Sequence, residues 1–447
     1  MQSYYFDKAF VRGAWQQGVR IAVQDGLILS VDPSGDISGA EHVRGAAIPA
    51  MANIHSHAFQ RSFAGMAEQR HEGQSDFWAW REAMYAASKS MTPARLEAVA
   101  AGLFMECLKG GYSHITEFHY LHGADMGLEL AMAEALFAAA DTAGVGLTLL
   151  PVVYNRGGFG NEPLNSAQQS FHLPIDRLQK LLEDLAPHTS GKHILGLAFH
   201  SMRAVGLSDM RAAYKLIGND APIHIHIAEQ QKEVADCFAA HDVTPIQWLV
   251  ENMPVDQRWT LIHATHLLSE EVEEIVKHGA VVGLCPTTEA NLGDGLFPVD
   301  DFLSQQGRLA IGSDSNVCRS AAEELRLMEY GLRLRFNKRT IAKSSDTDSI
   351  GTGLWRNAAL NGHGAAGSSA GDIAVGKRAD ILVLDTNNLA LTGKPDSSLL
   401  DSYIFAGNDS AVRHMMVDGK WSIRAGNHAE EDAISANFRA AIKELAL

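Results

Sequence analysis

The sequence predicts an α/β protein: a (β/α)8 TIM-like parallel barrel with a small β-sandwich domain built from both chain ends. Three observations carry this. About eight short apolar runs alternate with helix-like segments through the middle of the chain, several of those runs end in histidine or aspartate, and the two ends instead alternate polar and apolar residues around Asp-Gly turns. A parallel barrel suits the middle, because its functional residues come from the C-terminal ends of several strands.

Taken in order, residues 19–31 alternate as two strands that turn at Asp25-Gly26, a favoured hairpin dipeptide. Residues 1–48 are therefore assigned to the small domain and residues 49–365 to the barrel. Candidate barrel strands are residues 47–54, 113–118, 146–154, 194–199, 222–228, 259–263, 280–285 and 309–313. Among the connecting helices, residues 92–109 have the clearest punctuation: Thr92 can N-cap, Pro93 sits at the first helical position and Gly110 stops the helix. The Gly/Ala/Ser-rich stretch 363–371 marks the return to the small domain, assigned to residues 366–447. Residues 371–385 and 412–424, the latter turning at Asp418-Gly419, predict further strands. Residues 432–447 read as a helix.

The strand ends carry the chemistry. His55 and His57 lie two apart and share one face of a strand, so both rings can reach one metal ion. Alone, a His-x-His is a weak signal. Three other apolar runs, however, end in His226, His263 and Asp314, and a barrel gathers such positions. His119, His122 and His224 also lie in or beside strands and are read as ordinary polar residues.

Composition narrows the class. The chain of 447 residues is 46% hydrophobic and 20% charged, ordinary for a globular protein with a large core. Its formal net charge of -16 opposes binding to nucleic acid or anionic membranes, and an acidic substrate needs local cations to overcome that field. Cys107, Cys237, Cys285 and Cys318 are dispersed, which fits a reducing compartment better than a disulfide framework. The first residues lack a basic segment followed by an apolar core, and no span approaches membrane length. A cytoplasmic location and a homodimer are expected.

The combination of His55-x-His57, His226, His263, Asp314 and the later Gly376-Lys377-Arg378-Ala379-Asp380-Ile381 resembles the amidohydrolase superfamily of metal-dependent hydrolases. No lysine matches the bridging ligand of its binuclear members, and His226-Ile227-Ala228-Glu229 is similar to the His-x-x-Glu of its mononuclear deaminases. Finer matches are His55-Ser56-His57-Ala58-Phe59-Gln60-Arg61, Phe77-Trp78-Ala79-Trp80-Arg81, Glu117-Phe118-His119-Tyr120, His200-Ser201-Met202-Arg203 and His224-Ile225-His226-Ile227-Ala228-Glu229-Gln230. These resemble the formimidoylglutamate deiminases of bacterial histidine breakdown, which hydrolyse N-formimino-L-glutamate to N-formyl-L-glutamate and ammonia. Phe199 and Met202 stand where that family's pattern has Pro and Leu. The resemblance implies substrate contacts at Gln60, Arg81, Tyr120, His200 and Arg203.

The implied site makes chemical sense. His55, His57, His226 and Asp314 form a nitrogen-rich set with one carboxylate that suits a single Zn2+ per chain and a water made acidic by it. Glu229 is then the candidate proton shuttle, Asp314 accepts the proton of the water, and His263 hydrogen-bonds the attacking oxygen. A substrate with two carboxylates demands charge-assisted donors, for which the forks of Arg81 and Arg203 are suited. Taken singly, each is ordinary: Glu229 could cap a helix, Asp314 make a turn, and Arg81 stack on Trp78 or Trp80 at the surface. Alternatives are a guanine or other aromatic-base deaminase, a chlorohydrolase, a catalytically silent scaffold of the same fold, and a metal-independent module that binds acidic metabolites.

Overall fold

The computed structural model describes residues 1–66, 68, 76–123, 127–344 and 347–445; the side chains of residues 76–79 and 81 lie outside that description. Strands β1 (Gln2–Val11), β2 (Ala14–Gln24), β3 (Leu27–Asp32) and β4 (Glu41–Pro49) come from the N-terminal end. Eight parallel strands then form the barrel wall: β5 (Met51–Ser56), β6 (Tyr112–His119), β7 (Gly146–Val153), the interrupted pair β8 (His193–Leu195) and β9 (Leu197–Phe199), β10 (Ile223–Ile227), β11 (Trp259–His263), β12 (Val281–Leu284) and β13 (Arg308–Ile311). The chain returns through β14 (Ile381–Leu384), β15 (Val412–Val417), β16 (Lys420–Arg424) and β17 (Asn427–His428). A last helix, Glu431–Leu445, follows.

Both chain ends enter one hydrogen-bonded sheet of order β17-β16-β15-β14-β4-β1-β2-β3, in which only β1 and β4 run parallel. Its two Asp-Gly hairpins have positive φ at both turn residues, 51° and 80° at Asp25-Gly26 and 50° and 73° at Asp418-Gly419, as a tight primed turn requires. Tyr4, Phe6, Val19, Ile21, Ile381, Val383 and Met416 bury a core of their own on this sheet.

The apolar run 47–54, expected as one barrel strand, is divided. Ala47, Ile48 and Pro49 pair antiparallel with Val383, Leu382 and Ile381 in the end sheet, and the barrel begins at Met51. Ala50 N still donates to Asp380 O at 3.2 Å, after which Met51 N turns to Gly111 O at 3.1 Å and the chain enters the barrel. Residues 194–199 likewise form two short strands broken at Gly196, where a Cβ would lie 2.6 Å from Leu150 Cδ2 and from Pro222 O. The helix Pro93–Lys109 has the expected start, with Thr92 Oγ1 accepting from Arg95 N at 3.3 Å.

The first and last barrel strands meet where the histidines stand. Ser313 N and Asp314 N donate to His55 O at 3.1 and 2.9 Å, and His57 N donates to Asp314 O at 3.1 Å. Asn53 and Ser313 reinforce the seam, with Asn53 Nδ2 donating to Ser313 Oγ at 2.6 Å and Ser313 N to Asn53 Oδ1 at 3.0 Å. Beneath the site, small residues such as Ala52, Ala310, Ala365 and Ala366 pack with Ile54 and Ile262. At that end the buried pair Arg378 and Asp380 joins the two sheets. Arg378 donates to both Asp380 oxygens at 2.9 and 2.6 Å and reaches His114 Nδ1 at 3.1 Å, while Asp380 Oδ1 accepts from Asp418 N at 2.9 Å.

Candidate active site

The ends of β5, β10 and β11 and the residues just after β13 deliver His55, His57, His226, His263 and Asp314 to one buried cluster. Two overlapping sets, His55 with His57 and His226, and His55 with His263 and Asp314, each offer one ligand atom per residue within 4.8 Å of one another. The backbone is bent to achieve this. Ala228, His263, Ala264 and Asp314 have φ of 51°, 67°, 47° and 47°, left-handed conformations that cost a side-chain-bearing residue on the order of 1 kcal/mol each. Such strain at strand ends is held by the surrounding ladder.

The ring nitrogens show what the cluster lacks. His57 Nδ1 lies 3.0 Å from Phe118 O and His226 Nδ1 lies 3.0 Å from His200 O, so these nitrogens carry the protons and each Nε2 turns a lone pair inward. His226 Nε2 stands 2.9 Å from His55 Nε2, and Asp314 Oδ1 stands 3.2 Å from His57 Nε2 and 3.5 Å from His55 Nε2. Converging lone pairs and a carboxylate repel one another unless a cation sits among them. The donor set therefore fits a divalent metal ion, and its nitrogen-rich composition is of the kind zinc takes.

Electrostatics agree. Burial lowers the pKa of His55 to about 3 and pushes His226 well below the usual range, leaving neutral rings, the form that ligates. For Asp314, burial opposes ionisation, but the close His55 and His57 rings outweigh it and hold the carboxyl well below its ordinary value, a place that a bound cation takes over. Burial raises Glu229 to about 8. Burial disfavours the charged ring of His263, yet Glu229, Glu289 and Asp314 more than offset this and lift its pKa to about 10.

Glu229 and His263 meet at the open side. His263 Nε2 is 3.7 Å from Glu229 Oε1 and 3.7 Å from Asp314 Oδ2, too far for direct bonds and well placed for a reacting atom between them. Glu229 keeps 25% of its side-chain exposure, whereas His263 keeps 1%. Gln60 and Tyr120 stand alongside, with Gln60 Nε2 donating to Tyr120 Oη at 2.7 Å and the Tyr120 and His57 ring centres 4.8 Å apart. Gln60 Oε1 is buried with no hydrogen-bond partner among the described residues. The His200 ring lies 5.2 Å from that of His226 and 5.7 Å from that of Tyr120. Arg203, half-buried on the following loop, makes no direct ion pair among the described residues, lies within reach of the Glu233 charge and touches Gly157 O at 3.5 Å. Arg81 belongs to the helix Asp76–Ser90, and its side chain lies outside the described residues.

Two carboxylates at the site were not expected from the sequence. Glu289 Oε1 lies 3.2 Å from His263 Nδ1 and accepts from Cys285 N at 2.8 Å, so it orients the histidine from behind. Glu117 Oε1 accepts from Ala58 N at 2.6 Å and pins the turn after His57. Glu117 lies within β6, in a stretch whose family likeness was its sequence signal, and Glu289 lies in the helix Pro286–Leu292 just after β12. His119, His122 and His224 stand apart from the cluster; His224 Nε2 bonds Ala365 O at 2.9 Å and His122 Nε2 bonds Val152 O at 3.1 Å.

Comparison with known proteins now bears on this site. A family model described as the amidohydrolase family matches residues 46–422. The chain belongs to this family. Among amidohydrolase relatives, the formimidoylglutamate deiminase of Pseudomonas aeruginosa is 44% identical over 451 aligned residues, covering 100% of both chains. A 5-methylthioadenosine/S-adenosylhomocysteine deaminase of Haloarcula marismortui is 22% identical over 91% of this chain and 88% of its own. The crystal structure of an amidohydrolase from Brucella melitensis superposes with a TM-score of 0.95 at 38% identity, covering 100% of both chains. Atrazine chlorohydrolase from Arthrobacter aurescens, complexed with zinc, superposes with a TM-score of 0.86 at 19% identity over 99% of this chain and 100% of its own, a likeness of fold.

Proposed function

We propose that this amidohydrolase hydrolyses N-formimino-L-glutamate to N-formyl-L-glutamate and ammonia, the activity named by its 44% identical relative. The observation that carries the reading is a buried His/Asp cluster together with Arg203, a half-buried guanidinium on the loop after His200 that makes no direct ion pair among the described residues and feels only the longer-range charge of Glu233. An acidic substrate supplies the missing anion, in charge-assisted hydrogen bonds that a protein of net charge -16 has to provide locally. Arg81 is proposed as the second carboxylate ligand, with Gln60, Tyr120 and His200 as neutral contacts.

His55, His57, His226 and Asp314 would hold one zinc ion per chain. When bound, zinc makes hydroxide available from water near neutral pH. The rest falls to the protein. Asp314 accepts the proton of the attacking water, and His263, fixed by Glu289, donates from Nε2 to the oxygen as it joins the formimino carbon. Glu229, kept protonated near neutrality by burial, gives its proton to the nitrogen. The proton of the added hydroxyl passes through Glu229 to the same nitrogen, the carbon–nitrogen bond breaks as the formyl carbonyl forms, ammonia leaves, and the proton held by Asp314 returns to Glu229. A homodimer in the cytoplasm is part of the same proposal: the four cysteines are free and buried, in keeping with a reducing compartment, and light scattering measures the assembly.

The test is ammonia release from N-formimino-L-glutamate, with N-formimino-L-aspartate, guanine and adenosine as comparators. Preference for the glutamate derivative is expected. Faster release from guanine or adenosine would transfer the chain to the nucleobase deaminases.

A further inference from the structure

Near the proposed carboxylate contact stands a second arginine that none of the sequence motifs singles out. Arg156 lies in the turn after β7, with its guanidinium facing the loop that carries Arg203. Its Nε donates to Arg203 O at 3.1 Å, and its Nη2 donates to Met202 O at 2.7 Å and Val205 O at 3.0 Å. The remaining carbonyl of the series, Ala204 O, accepts from Asn155 N at 2.9 Å and Arg156 N at 3.1 Å. Four successive carbonyls, Met202 to Val205, are thus held by residues 155 and 156.

This is an unusual use of a guanidinium. Arg156 makes no direct ion pair among the described residues, only a longer-range interaction with Asp209, and Nη1 goes to a neutral acceptor, Asn161 Oδ1, at 2.9 Å. The planar fork, with donors in fixed directions, can bridge three carbonyls of one loop at once. A lysine ammonium on one flexible stem cannot span them. The loop starts at His200, whose carbonyl fixes His226, so its placement is shared between the metal cluster and the substrate contact.

We infer that Arg156 is a positioning residue for substrate specificity: its fork sets the 202–205 backbone so that Arg203 meets a substrate carboxylate. This rests on the proposed role of Arg203. Loss of the fork lets the loop relax and moves Arg203 away from the carboxylate, while the reacting groups, carried by other strands, keep their places.

The experiment is a double-mutant cycle on the zinc-loaded full chain. Arg156→Gln should raise KM for N-formimino-L-glutamate about tenfold while kcat stays within about twofold. On an Arg203→Met background the same change should add little, because the group it positions is gone. Arg156→Lys should behave as Arg156→Gln does, and it carries the cycle if the glutamine variant fails to fold. Equal KM effects in the two backgrounds, a loss confined to kcat, or full recovery by lysine would each overturn the inference. An active wild type with such results leaves the deiminase reading standing; a wild type that releases no ammonia from N-formimino-L-glutamate overturns both.

Discussion

Glu229 is a quarter exposed, raised to about 8 by burial, and 3.7 Å from His263 Nε2, a combination suited to handing over a proton at neutral pH. Glu229→Gln should bind metal as the wild type does, by elemental analysis, and lose on the order of a hundredfold in kcat, the usual scale for general acid/base loss. Near wild-type turnover would require a different shuttle. Arg203 tests the substrate rather than the chemistry. Truncation to methionine should cost about 2 kcal/mol in transition-state stabilisation, read from kcat/KM on N-formimino-L-glutamate, with metal content unchanged. The same loss should appear when the wild type is given a substrate lacking the carboxylate that Arg203 holds.

At the scale of elements, the seam between the sheets is vulnerable. Asp380 precedes β14, is buried, and has Arg378, Asp418 N and the barrel residue His114 gathered around the pair. Asp380→Ala strands the Arg378 charge in the interior and should cost about 3 to 5 kcal/mol in urea unfolding, far more than an exposed pair. Glu324 makes the opposite case. It lies in the helix Ala321–Phe336 and accepts from Thr287 N at 2.9 Å and Thr287 Oγ1 at 2.5 Å, yet burial outweighs these donors and lifts its pKa from 4.5 to about 8. The folded state therefore holds a proton there that the unfolded chain has released. Its contribution to stability is complete below pH 4.5 and is lost as pH rises towards about 8. Glu324→Gln should flatten that part of the stability-against-pH curve; an unchanged slope between the variants would show that Glu324 is ionised in the fold.

For the whole molecule, the metal and the fold should separate. The core runs continuously from the barrel into the surrounding helices, and the end sheet has its own. Chelation should abolish activity while leaving one cooperative thermal transition, with Tm lowered by no more than the lost binding energy of the ion. Refilling with about one equivalent of zinc should restore both. Extensive unfolding on chelation would mean that the converging lone pairs of His55, His57 and His226 are not tolerated without a cation.

The sequence by itself determined the elements and the strand-end residues that gather at the candidate site. The period of apolar runs, the capping of Pro93–Lys109 and the Asp25-Gly26 and Asp418-Gly419 turns are local properties, set by backbone sterics and by which face of a segment is apolar. The strand-end positions of His55, His57, His226, His263 and Asp314 were legible for the same reason, since a parallel barrel leaves few other places for them. What only the tertiary structure decided lies in contacts between segments far apart in the chain. The apolar run that crosses Pro49 is shared between two sheets, and nothing in its own composition says where one ladder ends. Glu289 reaches His263 across 26 residues, Arg378 meets His114 across 264, and Arg156 grips a loop 46 to 49 residues ahead. Such partners are chosen by where strands and loops come to rest, and a hydrogen bond leaves no period in the sequence to announce its other end.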